Sequence, residues 1–329
     1  MKISIIIPVY NSSFTLKECL DSIFSSTFKD YEVIVVSGNS TDDSIKIAKQ
    51  FQIKIIELPE NKGPALARNK GFQVAQGDII LFLDSDVIIN KNSLSLIIDK
   101  FSLADVNAIQ GIYSHETNYK YLATQFYQSY LCYYVWPENK KYVSTLVTGC
   151  FAIRKEIFNK FGGFDVNIEN ASCEDEKFGY SLIEKGYKIL ILRDLQVVHR
   201  VNYNVINFIK RRLTQEFDRI KFYLREKTYT NKIKQTNYSR VIIGIPVLGL
   251  ILLTVLSAFF YSNSIIWYSF VILNLIYVSL HLGFLKFVTS NKGFKKAFGL
   301  LFMFYLDTFL MIIALSFGLI SFFILKKKY

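Results

Sequence analysis

Three long apolar stretches near the end of the sequence constrain what the chain can be. Val241–Tyr261 and Ile265–Leu285 are nearly uninterrupted hydrophobic runs, each about the 20 residues an α-helix needs to cross the hydrocarbon core of a bilayer. The third, Ala297–Leu325, is longer and holds one acid, Asp307. It reads as a single tilted helix, or as an interfacial piece followed by a span from Thr308. The short turn Ser262–Ser264 makes the first two runs a hairpin. With three spans, the cluster Lys286, Lys292, Lys295 and Lys296 faces the same side as residues 200–240. The run Lys326–Lys328 then faces the other side, against the positive-inside bias.

The charge distribution separates this tail from the rest of the chain. Hydrophobic residues make up 51% of the chain and the formal net charge is +12. Residues 1–199 nevertheless carry 21 Lys/Arg against 23 Asp/Glu, whereas residues 200–240 carry 11 against 3 and residues 241–329 carry 7 against 1. The basic character therefore lies where the chain approaches the apolar runs. A basic stripe can mark a nucleic-acid surface, but beside such runs an anionic lipid surface is the better partner, and no nucleic acid is expected. Ile206, Phe208, Ile209, Leu213, Phe217, Ile220 and Leu224 interleave with these cations as in an amphipathic helix lying on a membrane face. Cys19, Cys132, Cys150 and Cys173 form no Cys-x-x-Cys pair, so they read as reduced thiols, in keeping with a cytoplasmic location. Met1–Tyr10 is too short an apolar run for a signal peptide and leads straight into a turn.

The first 110 residues alternate strand and helix signals. Ile3–Val9, Tyr31–Val36, Lys54–Leu58 and Asp78–Leu83 read as strands, and Thr15–Ser26 and Ala65–Ala75 as helices. Thr41 or Asp42 is placed to cap a further helix. This alternation predicts an α/β domain with a mostly parallel sheet, in which ligands bind beyond the C-terminal strand ends. Residues 111–145 are aromatic-rich and lack periodicity. Their tyrosines, Tyr113, Tyr119, Tyr121, Tyr127, Tyr130, Tyr133 and Tyr134, read as packing a mixed helix rather than stacking on a sugar or lying at a lipid surface.

The fourth strand runs into Asp84-Ser85-Asp86. Two carboxylates leaving the end of a buried strand need a cation to meet them, and a divalent metal carrying a diphosphate fits that need. Further on, Glu174-Asp175-Glu176 has the composition of an acidic first helical turn, and His199 follows a β-branched pair.

These segments, taken in order, resemble a family-2 glycosyltransferase of the GT-A fold over roughly residues 3–200. The matching stretches are Ile5–Asn11, Val35–Asp42, Asn61–Gly71, Asp84–Asp86, Thr148–Cys150 with Arg154 and Gly162–Asp165, Glu174–Glu176 with Gly186-Tyr187, and Val198-His199. The resemblance implies a donor site of Pro8, Tyr10, Asn11, Ser37, Arg68, Asp84 and Ser85. It implies a metal site, for Mg2+ or Mn2+, of Asp86 and His199, and an acceptor side at Gly149 and Cys150. Asp175 is the implied general base, with Glu174 positioning it or binding the acceptor. The implied reaction is inverting transfer of a single sugar from a nucleotide-sugar. A UDP-sugar is favoured and a GDP-sugar is the other option, since the carboxylate that many relatives carry near Ser37-Gly38 to read the base is missing. The Gln-x-x-Arg-Trp motif of processive synthases is also missing. The expected organisation is a catalytic domain at 1–199, a basic interfacial segment at 200–240 and an anchor at 241–329 with helices near 241–261, 265–285 and 297–325. The expected location is a cell membrane, multi-pass, with the catalytic domain cytoplasmic and a polyprenyl phosphate or lipid-linked saccharide as acceptor. The alternative is a catalytically degenerate domain serving as a membrane scaffold.

Overall fold

The computed structural model describes residues 1–114, 119–136, 140–143, 145–168, 173–225, 238–261 and 263–324. Ser262, Leu325, the run Lys326–Lys328 and residues 226–237 of the basic segment lie outside the described residues. The chain forms two compact units, one of Met1–Thr117 with Trp136–Val201 and one of Asn118–Val135 with Asn202–Tyr329.

The first unit is built on an eight-stranded sheet. Its strands are β1 (Ile3–Val9), β2 (Tyr31–Ser37), β3 (Lys54–Glu57), β4 (Ile79–Leu83), β5 (Val87–Ile88), β6 (Ala108–Tyr113), β7 (Cys150–Arg154) and β8 (Ile189–His199), in the order β3-β2-β1-β4-β7-β6-β8-β5. Helices α1 (Leu16–Phe24), α2 (Ser44–Ala48), α3 (Gly63–Val74) and α4 (Ser93–Phe101) connect the early strands. Apolar runs with both faces covered make β1 and β4 almost wholly buried, as in a sheet sandwiched by crossover helices. Gly71 of α3 rests on β1 and β2, where a Cβ would run into Ile6 and sit 3.2 Å from Val36 Cγ2.

Strands β1 to β4 are mutually parallel where they pair, as the alternation predicts. Beyond them the sheet is mixed. β7 inserts antiparallel between β4 and β6, β6 runs parallel to β8, and β5 pairs antiparallel with β8. The parallel arrangement brings the C-terminal ends of β1, β2 and β4 to one edge, where the polar turns lie.

In the second unit, α5 (Leu122–Tyr130) passes into a π-helical turn, Leu131–Val135. Two further helices, α6 (Lys155–Lys160) and α7 (Glu174–Glu184), belong to the first unit. The second unit continues with α8 (Val205–Arg225), α9 (Tyr238–Phe260), α10 (Ser264–Leu280), α11 (Leu282–Lys292) and α12 (Phe294–Leu319), whose last turns, Ile320–Ile324, are π-helical. The aromatic-rich segment does pack a helix: Phe126, Tyr130 and Tyr134 lie in one buried cluster with Phe208, Phe284 and Phe304.

Ile243–Phe260 and Phe294–Phe323 are long and apolar enough to cross a membrane. The predicted run 265–285 is broken. α10 ends at Leu280 and α11 departs at 60°. His281 sits at the bend, its ring stacked on Phe304 at 4.1 Å and edge-on to Tyr277, and this fixed ring anchors the break. Asp307, which the sequence shows as an isolated acid, accepts hydrogen bonds from Arg212 Nε and Nη2 at 2.5 and 2.9 Å.

Candidate active site

The first wall of the site is the pair of turns that end β1 and β2. Asn11 and Asn39 both take positive φ, 49° and 59°, a region in which asparagine is tolerated better than most side chains. The turns are stitched together by short polar side chains. Asn11 Oδ1 accepts from Thr41 N at 2.8 Å, Ser40 Oγ accepts from Asn11 N at 3.1 Å, and Asp42 accepts from Ser13 N at 2.8 Å. Asp42 also accepts from Ser44 N and Oγ at the head of α2. Burial opposes its ionisation, but these donors outweigh burial and hold its carboxyl at about 2. Asp42 therefore ties the turn rather than facing outward. Ser37 is buried and donates to Ser40. Tyr10 stands exposed and Pro8 half-buried at the rim.

The second feature is a buried ion bridge. Arg68 leaves the middle of α3 and is enclosed. Its Nη2 donates to Asp84 Oδ1 at 2.9 Å and its Nη1 to Glu174 Oε1 at 3.0 Å. One guanidinium thus joins the first acid of the Asp-x-Asp turn to the first acid of α7, which lies 106 residues from it in sequence. The planar fork of arginine suits this two-carboxylate task, which lysine cannot perform equivalently. Next to it, Asn69 clamps the turn that follows α6: Nδ2 donates to Phe164 O and Oδ1 accepts from Phe164 N, at 2.8 and 2.9 Å. Gly163 adopts φ +86°, and a Cβ there would lie 2.6 Å from Asn69 Oδ1.

Asp86 and His199 form the third feature. The pairing of β5 with β8 sets Val87 opposite His199, which brings His199 Nε2 to 3.3 Å from Asp86 Oδ2. Ser85 donates to Ser12 Oγ at 2.8 Å and so fastens the turn to the β1 side. Tyr113 stacks on the His199 ring at 4.4 Å and meets Trp136 edge-on at 5.1 Å. Tyr113 also fills the space beside Gly149, where any Cβ would collide with its hydroxyl. Gly149→Ala is accordingly expected to cost about 1–3 kcal/mol through overpacking, read as a lower thermal midpoint, and Gly149→Ala with Tyr113→Ala should recover part of it. Among the described residues no group of three His, Cys, Asp or Glu side chains gathers to hold a metal alone. One carboxylate and one imidazole form a donor set that leaves most of a divalent cation's sphere to phosphate oxygens and water, as magnesium-type sites require.

The fourth feature is the acid at the head of α7. Asp175 is partly open, with Oδ1 accepting from Glu176 N at 2.8 Å and Oδ2 from Thr148 N at 3.4 Å. Burial first, then the neighbouring Glu174 and Glu176 charges, push its carboxyl well above the usual range, against the pull of Arg68. A carboxylate raised toward neutrality is suited to taking a proton. Thr148 and Gly149 lead into β7, where Cys150 is buried and its thiol is pushed up to about 12 by burial, then by Asp84. Cys150 is thereby an inert packing residue beside Gly111.

The structure thus joins Asp84 and Glu174 through Arg68, Asp86 with His199, and Asp175 with the stretch before β7. Sequence reasoning missed Asn69, Tyr113 and Trp136 as supports of these groups. Asn69 lay inside a quoted motif, whereas Tyr113 and Trp136 lay in a segment without periodicity.

Residues 4–162 match glycosyl transferase family 2. Among curated relatives, a poly(ribitol-phosphate) beta-glucosyltransferase of Bacillus spizizenii is 45% identical over 102 residues, covering 29% of this chain and 16% of that one. Glycosyltransferase GlyG of Streptococcus pneumoniae is 31% identical over 116 residues, covering 34% of this chain and 38% of that one. This chain therefore matches well under half the length of these relatives. Among solved structures, the mannosyltransferase PcManGT from Pyrobaculum calidifontis, in complex with GDP-Man and Mn2+, is similar with a TM-score of 0.59 at 15% identity, over 99% of this chain and 88% of that one.

Proposed function

We propose that this chain, whose N-terminal half is a glycosyl transferase family 2 domain of the GT-A fold, transfers a single sugar with inversion from a nucleotide-sugar to a lipid-linked acceptor at a membrane surface. The observation that carries the reading is the Arg68 bridge. It couples the Asp84–Asp86 turn to the helix bearing Asp175, so that two opposed chemical tasks share one rigid frame.

The assigned roles follow from the side chains. The turns at Tyr10–Asn11 and Ser37–Ser40 bound the nucleoside, and Asp84 holds the turn through Arg68. Mg2+ or Mn2+ between Asp86 and His199 would neutralise charge on the leaving diphosphate. PcManGT, which shares the fold, was seen with GDP-Man and Mn2+, in keeping with the GDP-sugar option; the UDP-sugar is favoured by the family resemblance. Where the acceptor attacks through a saccharide hydroxyl, Asp175 takes that proton as the oxygen bonds to the anomeric carbon and the nucleoside diphosphate leaves, and this single displacement inverts the centre; a polyprenyl phosphate oxygen is already ionised and needs no such base. Glu174, engaged by Arg68, keeps Asp175 in place. Apolar helices in the second unit support a membrane location, with the catalytic unit cytoplasmic and a polyprenyl phosphate or lipid-linked saccharide as the acceptor.

The test is turnover of a UDP- and GDP-sugar panel by detergent-extracted protein, with Mg2+ or Mn2+ and extracted membrane lipid. The expected result is metal-dependent transfer to lipid that falls by about 10²-fold or more in Asp86→Ala, on the scale of losing one electrostatic contact to the leaving group. No donor consumption by the folded protein, over an adequate lipid panel, would favour the scaffold alternative.

A further inference from the structure

The second unit contains a packing relation that bears on how many times the chain crosses the membrane. The inference rests on the membrane reading above but goes beyond it. α8 and the C-terminal part of α12 lie alongside one another and run in the same direction. Phe208 shares a cluster with Phe304. One turn on, Arg212 holds Asp307. Further along, a Cβ at Gly318 would lie 2.8 Å from Ile220 Cγ2, so glycine lets the two helices approach there. The partners advance together, 208 to 212 to 220 on one helix and 304 to 307 to 318 on the other.

α8 carries eight charged residues among its 21. Arg212, Glu216 and Arg219 are linked in one ion network, with Glu216 accepting from both arginines. Lys210, Arg211, Lys221 and Arg225 add further charge. Such a helix has no place in the hydrocarbon core, where ions are strongly disfavoured. Because α12 is co-extensive with α8 from Asp307 to Gly318, that part of α12 lies at the depth of α8. Its burial agrees: the apolar 18-residue window within Phe294–Phe323 is 44% buried in the protein, against 17% for Ile243–Phe260. The apolar residues that α12 leaves exposed, among them Phe294, Phe298, Phe302, Phe309, Phe317 and Phe323, fall on one side by helical spacing. The buried face of α12 is itself apolar, so its depth is set by its shared course with α8 rather than by a polar face of its own.

We propose that α12 lies in the plane of the leaflet, locked there by α8, and that only the α9–α10 hairpin crosses the bilayer. The chain then crosses twice. The lysines at Lys286, Lys292, Lys295 and Lys296, and the run Lys326–Lys328 that follows α12 in sequence, all fall on the side where α8 begins, which removes the conflict with the positive-inside bias. The partner of the exposed α12 face is the acyl region of that same leaflet.

The experiment is labelling of full-length variants that each carry one added cysteine, in intact and permeabilised cells, with a membrane-impermeant maleimide. Asn263→Cys and Ser264→Cys report the hairpin tip, and Lys326→Cys and Lys327→Cys report the far end of α12. The parent protein, whose four thiols, Cys19, Cys132, Cys150 and Cys173, are all buried, is the background control. Each variant is first checked for a single detergent-soluble species. The expected result is labelling at 263 and 264 in intact cells, and at 326 and 327 only after permeabilisation. Labelling at 326 and 327 in intact cells would overturn the proposal while leaving the membrane reading in place. Labelling at all four positions only after permeabilisation would overturn both.

Discussion

Asp175→Asn is expected to lower sugar transfer by about 10²–10⁴-fold, the usual contribution of a positioned proton acceptor, and at the same time to raise the thermal midpoint of the protein. Both effects have one cause. Asp175 sits beside Glu174 and Glu176 at the head of α7, and burial together with these charges lifts its carboxyl well above the ordinary range. Such a group binds its proton more tightly in the folded chain than in the unfolded one. Its contribution to stability is therefore complete below the ordinary carboxylate range and is lost as pH rises through the elevated value. Near neutrality the wild type bears the cost of a crowded carboxylate, and the amide does not. The midpoint advantage of Asp175→Asn should thus grow as pH rises from 4 toward the elevated value, while the acid limb of kcat/KM in the wild type lies above the ordinary carboxylate range. Differential scanning across pH, with rates on the same samples, reads both. A variant that kept transfer within a few-fold of wild type would remove Asp175 from the base role. A variant no more stable than wild type at any pH would show that the crowding is relieved by other means.

Half of this arrangement was legible in the sequence, for reasons that differ from one residue to the next. β1 to β4 were readable because each is a short apolar run closed by a turn, and because consecutive parallel strands leave their polar turns on one edge. The partnership of Asp86 with His199 was suggested only by the resemblance. Geometrically it depends on the antiparallel pairing of the two-residue β5 with β8, and two residues carry no strand signal of their own. The insertion of β7 between β4 and β6 is a non-local pairing with no sequence periodicity to announce it. Arg68 was read as a donor contact only because the stretch Asn61–Gly71 resembles the family segment whose arginine lies near the donor. Its engagement by Asp84 and Glu174 requires a helix 106 residues away, and sequence spacing says nothing about such a bridge. Tyr113 was hidden in an aromatic segment where most tyrosines serve packing. Its stacking on His199 follows from its place at the end of β6 and from the missing side chain at Gly149.

Arg212→Leu is expected to destabilise the second unit by about 3–5 kcal/mol, the cost of removing one partner of a buried ion pair. Asp307 is 1% exposed and accepts two hydrogen bonds from that guanidinium. Without it, a carboxylate remains among the apolar residues of α12. Asp307→Leu should cost less, because Arg212 keeps Glu216 at 2.7 Å. The double variant Arg212→Leu with Asp307→Leu separates the pair from its burial. Replacing a buried ion pair by well-packed apolar groups is often neutral or stabilising, so the double variant should unfold closer to wild type than Arg212→Leu alone. Thermal unfolding in one detergent, followed as a double-mutant cycle, gives the coupling. The same variants decide what an acid in an apolar helix is for. If Asp307 served ion or substrate passage, the double variant would lose function however stable it was. On the reading advanced here its task is to lock α12 to α8, and the double variant should retain transfer at a rate close to wild type. A stable double variant without transfer would assign Asp307 a chemical role, whereas single variants as stable as wild type would show that the ion pair does not hold the two helices together.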